Sequence, residues 1–330
     1  MRYQNGEPLE ELVKIALLVA LSMLGAGVAS AQSYPNRPVR MIIPFPPGGG
    51  SDAVGRILAA KMSERLGQQI VVDNRAGAGG SVGTEAAVRA NPDGHTMVLA
   101  STSEIAINPA LYKLSYDTLA DLIPVAMTAY AAMVAVVAPS AGITSVKDLI
   151  AMAKAKPGTI NVASAGNGTI THLSGELFRS MANLTWTHVP YKGAPPALTD
   201  LAAGRVQVMF SSLPAAMPLI KANRVNAIAV STRARAEALP DVPTVIESGM
   251  PEYEVVYWWG LFVPAGTPRS LVARLADENN ETLKQKDVIT NLANQGALRG
   301  ETTQPQFAEL VRAEYARWTK LVVSSGAKSD

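Results

Sequence analysis

Along this chain, short apolar runs repeatedly stop at a glycine- or hydroxyl-rich turn and are followed by a helix, and few folds accept that order. Residues 39–43 read as a buried strand, broken by Pro44-Phe45-Pro46-Pro47-Gly48-Gly49-Gly50. Val54, Ile57, Leu58 and Met62 then recur at helical spacing up to Leu66. Ser51 is the expected N-cap of that helix and Gly67 its C-terminal glycine. Residues 70–73 form the next strand, and the turn Gly77-Ala78-Gly79-Gly80-Ser81 leads into a helix ending at Val88. Residues 97–100 are a third strand, closed by Ser101-Thr102-Ser103. Strand, turn and helix in repetition define an α/β class with a parallel sheet.

The pattern then changes partner. Residues 134–138 read as a strand that crosses into a second lobe before Pro139 and Gly142. Ser145 is placed to cap the helix that follows, and Lys156-Pro157-Gly158 to stop it. Strand 160–164 leads through Gly166-Asn167-Gly168-Thr169 into a helix over 171–181. Further strands are expected at 206–210 and 227–230, with a return crossing at 255–263. Thr267-Pro268 reads as an N-cap followed by proline at the first helical position, and Thr303-Gln304-Pro305-Gln306 as a capping box. Two lobes follow, one from residues 32–133 with 252–330 and one from 134–251.

The 330 residues suffice for two such lobes, and a net charge of +2 gives no basic face suited to nucleic acid. There is no cysteine, which removes disulfides, thiolate metal sites and a cysteine nucleophile together. An apolar run over 15–24, too short to cross a bilayer, precedes Ala29-Ser30-Ala31 and reads as a signal peptide cleaved after Ala31. Arg2 and Lys14 are outnumbered there by Glu7, Glu10 and Glu11, so Lys14 is the expected effective charge of a start lying further in. The mature chain, with 27 basic and 24 acidic groups, is expected to be periplasmic.

Glycine turns after strands aim backbone N–H groups at a ligand, and the following helix adds about half a positive charge. One such turn stands in each lobe, Pro47 to Ser51 and Gly166 to Thr169, so an anion clamp is expected. The hydroxyls of Ser101, Ser103 and Ser211 follow strands and can line the same cleft, while they also serve as helix caps. His172, in the first turn of its helix, can either donate to an acid or bond to backbone. The three histidines have no metal spacing, and no cofactor or metal is expected. Gly79-Gly80-Ser81-Val82-Gly83 matches the G-x-S-x-G pattern, but seven residues separate Asp73 from Ser81, where a nucleophile elbow needs none. An esterase using Ser81 or Ser51 is therefore only a third reading. Trp258 and Trp259 are expected to pack at the return crossing.

These residues, from Tyr34-Pro35-Asn36-Arg37-Pro38 and Pro44–Asp52 through Val72-Asp73-Asn74-Arg75-Ala76-Gly77 to Asn91-Pro92-Asp93-Gly94, resemble the receptors of tripartite tricarboxylate transporters, the Bug family. Ser164-Ala165-Gly166-Asn167-Gly168-Thr169, Val189-Pro190-Tyr191-Lys192-Gly193 and Gly260-Leu261-Phe262-Val263-Pro264 continue the likeness. The resemblance implies a type II periplasmic-binding-protein fold with two lobes and a central ligand cleft, and a binding rather than an enzymatic role. It implies an organic mono- or dicarboxylate, aromatic acids included, held by Phe45, Gly48, Gly49, Ser51, Gly166, Asn167, Thr169 and His172. Membrane transporter subunits are the implied partners of a monomer, with a periplasmic sensor as the alternative. Many members carry Asp where Ser211 stands and Tyr where His95 stands. Serine there favours a plain acid over an amino acid.

Overall fold

The computed structural model describes Lys14 and residues 34–325, and the elements below lie within the unit Arg37–Asp330. Apart from Lys14, the expected signal peptide falls outside the described residues. Strand β1 (Val39–Ile43) feeds the proline-glycine turn and helix α1 (Gly50–Leu66). Strand β2 (Ile70–Asn74), helix α2 (Ser81–Val88) and strand β3 (Thr96–Ser101) repeat the unit. β1 lies between β2 and β3, parallel to both. The helices and strands expected here are present, with one correction at the start of α1. Gly49, not Ser51, is the N-cap, and no side-chain cap bond is made.

Residues 103–107 form a short wide-turn helix leading into α3 (Asn108–Leu111). The crossing strand β4 (Leu122–Val137) is far longer than the segment expected from sequence. Its first part, residues 122–132, pairs with β9, and its last five residues pair with β7. One strand thus belongs to two sheet regions, and the crossing runs through the backbone of β4 itself.

Beyond it come α4 (Val146–Ala155), capped by Ser145 as expected, then β5 (Asn161–Ser164), α5 (Ile170–Met181) and β6 (Thr187–Pro190). Helix α6 (Ala194–Ala202), β7 (Val208–Ser212), α7 (Leu213–Lys221) and β8 (Asn226–Val230) complete this region. β9 (Val256–Pro264) returns antiparallel to both β3 and β4. Helices α8 (Arg269–Leu283) and α9 (Lys286–Asn294), strand β10 (Ala297–Arg299) and helix α10 (Gln304–Ser325) close the chain. Pro268, not Thr267, is the N-cap of α8, because the Thr267 hydroxyl donates back to the Pro264 carbonyl. The capping box at α10 is present: Thr303 N–H donates to Gln306 Oε1, and Gln306 N–H to Thr303 Oγ1.

Each sheet region has its own core. Ile42, Val98, Phe262 and Trp258 pack with Phe307 and Val311 of α10 in the first. Val134, Val136 and Met209 pack with Leu198, Leu201 and Leu213 in the second. Burying one such side chain contributes about 1.5–3 kcal/mol. The type II periplasmic-binding-protein architecture is therefore present, and the turns after β1, β3, β5 and β7 face a common cleft.

Candidate functional site

The two glycine turns are braced from below. Asp52, buried in the first turn of α1, accepts from Gly48 N–H at 3.0 Å, Arg56 Nε at 2.9 Å and Asn74 Nδ2 at 3.0 Å. Asn74 also donates to the Phe45 carbonyl, so both ends of the first turn are tied. Burial pushes the Asp52 carboxyl upward, but the bonds from Arg56, Gly48 and Asn74 and the Arg56 charge prevail and hold it below the usual aspartate value. Asp52 thus shapes the loop.

In the second turn, Thr169 Oγ1 donates to the Gly166 carbonyl at 2.7 Å, and Ala165 N–H donates to Thr171 Oγ1 at 2.8 Å. Gly168 N–H donates to His172 Nδ1 at 3.2 Å, and the imidazoles of His172 and His188 stack at 3.9 Å. His172 thus accepts from backbone through Nδ1 and stacks on His188.

The two regions touch. Ile170 N–H at the head of α5 donates to Ser103 Oγ at 3.0 Å, and the Tyr112 hydroxyl donates to the Asn167 carbonyl at 2.7 Å. Gly193 backs onto Pro46 so closely that a Cβ there would lie 2.3 Å from the ring. Gly50 approaches α7 in the same way, with 2.5 Å between its would-be Cβ and Ser212 Oγ. The two sheet regions are thus in contact across the cleft.

At the base of the cleft is a small cavity of about 30 Å³ whose walls include Phe45, Gly49, Ser51, Ser103, Thr169 and Tyr257, and it shares Phe45, Pro46 and Ala165 with an outer groove of about 560 Å³. Gly50, Ile170, Ala194 and Ser212 also line it, so α1, α5, α6 and α7 all present their N-terminal ends to it. Each end brings partial positive charge, with Pro195, Pro196 and Pro214 contributing no N–H, and no lysine, arginine or histidine is among the lining residues. Two hydroxyls sharpen the effect. Ser51 Oγ accepts from Trp259 Nε1 at 2.9 Å, and Ser103 Oγ accepts from Ile170 N–H. Each has an oxygen lone pair engaged, which leaves its proton for the Tyr257 oxygen or for a guest. The arrangement can meet an anionic group with neutral donors and four helix N-termini, beside an apolar wall of Phe45, Ile170 and Pro195.

Of the residues named from sequence, Phe45, Gly49, Ser51, Ser103 and Thr169 line this cavity. Gly166 and Asn167 line an outer groove with Tyr112, Tyr191 and Lys192. Pro47 and Gly48 are exposed on the outer side of their turn. Ser101 lies fully buried behind the wall, where its hydroxyl receives that of Tyr257 at 2.9 Å. Ser211 is fully buried with its hydroxyl on the Ser212 carbonyl, and Ser212 takes the place on the wall. Sequence reasoning missed Tyr257 and the N-termini of α6 and α7. The prolines just inside both helices, Pro195 and Pro214, were the available signal. Ser81 accepts from Asn108 Nδ2 and is buried at the start of α2, outside the cavity.

A two-lobed sheet with helix N-termini aimed into a closable cleft defines a solute-binding receptor. The chain belongs to the tripartite tricarboxylate transporter family receptors, whose family model matches residues 54–326. BugT of Bordetella pertussis is 36% identical over 322 residues, covering 96% of this chain and 99% of that protein. Rpa4515 of R. palustris, solved with adipate, superposes with a TM-score of 0.87 at 35% identity, covering 89% of this chain and 99% of that one. MatC of Rhodopseudomonas palustris, solved with bound malate, gives 0.84 at 33% identity, covering 88% and 100%.

Proposed function

We propose that this protein captures a small organic mono- or dicarboxylate, aromatic acids included, between its two lobes and delivers it to a tripartite tricarboxylate-type membrane transporter. The lobes are residues 32–133 with 252–330, and 134–251. The protein works as a periplasmic monomer after cleavage behind Ala31, and it binds its solute without turning it over. The observation that carries this reading is the convergence of four helix N-termini and the Ser51 and Ser103 hydroxyls on a cavity without a charged wall. Such a site neutralises a carboxylate without the desolvation cost of a buried cation. Adipate and malate in the two relatives support the ligand class.

Closure follows from the same geometry. The solute favours the closed state because only there do the donors of α1 and α5 reach it together. A thermal-shift screen across aliphatic, hydroxy and aromatic acids tests the proposal. A true ligand at about 100 times its Kd adds about 2.7 kcal/mol of stability. Absence of any shift across such a panel contradicts carboxylate capture.

A further inference from the structure

Behind the cavity wall lies a carboxyl group that anion capture does not use. Glu104, in the short helix after β3, is fully buried, and its Oε2 accepts from the Ser101 hydroxyl and from Ser101 N–H. Its other oxygen, Oε1, has no hydrogen-bond partner and packs beneath Gly80. The Tyr257 hydroxyl, on the cavity wall, donates to the same Ser101 oxygen at 2.9 Å. Three groups thus form a chain from the buried carboxyl to the ligand space. Tyr257 also meets the hydroxyls of Ser51 and Ser103 at its cavity end.

A row of hydroxyls can run in either of two senses. With Glu104 ionised, Tyr257 donates to Ser101 and Ser101 to the carboxylate, so Tyr257 shows only lone pairs to the cavity. With Glu104 neutral, the acid proton goes to Ser101, the Ser101 proton goes to Tyr257, and the tyrosine proton turns toward the cavity. The second sense adds a third hydroxyl donor beside Ser51 and Ser103. We propose that Glu104 is a positioning residue whose protonation sets the hydrogen-bonding sense of Tyr257, so that binding of an anionic solute takes up one proton at Glu104. The proposal rests on the carboxylate reading of the cavity.

The surroundings favour the neutral acid. An ionised carboxylate with one unpartnered oxygen in the protein interior is costly. Among the described residues no lysine, arginine or histidine forms an ion pair with Glu104, while ion pairs elsewhere are frequent. β3, α3 and the turn at Gly80 present no titratable group to it, and α10 packs on this segment through Phe307 and Val311 beside Ile105. The titratable neighbours are the neutral phenols of Tyr257 and Tyr116, both held above the usual tyrosine value chiefly by burial and in part by the Glu104 charge. Glu85 acts on Tyr116 from α2. Burial pushes the Glu104 carboxyl up to about 7, against the lowering bonds from Ser101, so both senses lie within reach of ordinary conditions.

The test is calorimetric titration of the intact protein with adipate and with malate, from about pH 6 to about pH 9, in two buffers of different ionisation enthalpy. Linkage through one proton weakens binding by up to about tenfold per pH unit above the Glu104 value, with uptake of up to about one proton on binding. Glu104→Gln, which has no titratable proton at this position, is expected to bind with an affinity that does not change with pH and to take up no proton. Tyr257→Phe, which leaves Glu104 in place, is expected to bind at all pH values as weakly as the wild type does at about pH 9. An acid that binds the wild type with no pH dependence, or with one that persists in both variants, overturns the relay and leaves carboxylate capture standing. Failure of both acids to bind at any pH, with the fold intact, overturns the relay together with the reading it rests on.

Discussion

The indole N–H of Trp259 donates to the hydroxyl of Ser51 at 2.9 Å, joining residues 208 positions apart at the wall of the ligand cavity. Both are buried, and the bond fixes which way the Ser51 proton points. Trp259→Phe keeps an aromatic ring but removes the donor. Affinity for a bound acid should fall about 2- to 13-fold, the worth of one hydrogen bond. Ser51→Ala should cost at least as much, and the double variant little more than Ser51→Ala alone, because the two act as one unit. Calorimetry on the three variants checks this, and fully additive losses contradict it.

Gly193 sets how far the cleft closes. A Cβ at this position would stand 2.3 Å from Pro46 Cγ, and its φ of +113° is one that side chains avoid. Gly193→Ala should lower stability by about 1–3 kcal/mol through backbone strain. It should also keep the liganded protein open, which small-angle scattering reads as a larger radius of gyration. Adding Pro46→Ala should restore part of the closure but none of the backbone strain. Gly49→Ala is the control: its Cβ would have ordinary contacts at 3.6 and 3.9 Å, and closure should be retained.

What the sequence could reveal depended on how local each cause is. The βα units from Val39 to Ser101 were legible because apolar spacing and turn residues act within a few positions. The 16-residue span of β4 was not, since Pro124 and Thr128 interrupt its apolar pattern and the strand is held by long-range pairing of the residues around them with β9. The caps at Ser51 and Thr267 were misplaced for a related reason. Each hydroxyl found a partner elsewhere, Ser51 with Trp259 and Thr267 with Pro264. The two glycine turns were readable as a clamp, whereas Tyr257 reaches the cavity on a return strand that no local pattern connects to it.

Ser231 ties the two crossing segments together. Met133 N–H of β4 donates to its hydroxyl at 2.8 Å, and that hydroxyl donates to the carbonyl of Val255 just before β9. Backbone bonds run alongside, from Ser231 N–H to Met133 and from Val255 N–H to Ser231. Ser231→Ala leaves a buried N–H and a buried carbonyl without these bonds, at about 1–3 kcal/mol for each. Urea unfolding should show a lower midpoint with an unchanged slope, and Ser231→Thr, which keeps the hydroxyl, should lose much less.

Asp52 links the first turn to acid stability. Its folded value lies below the ordinary aspartate value of 3.8, because the bonds from Arg56, Gly48 and Asn74 outweigh burial. A depressed acid contributes stability above its unfolded value and loses that contribution as pH falls through its folded value. Asp52→Asn should therefore be less stable than the wild type at neutral pH, with the gap closing as the solution is acidified below the ordinary aspartate range. Parallel urea titrations along an acid series measure the gap. A gap that stays constant down to the lowest pH would mean that Asp52 acts by shape alone. Ligand affinity should follow the same course, since the Gly48 N–H and the Phe45 carbonyl that hold the turn lose their anchor together.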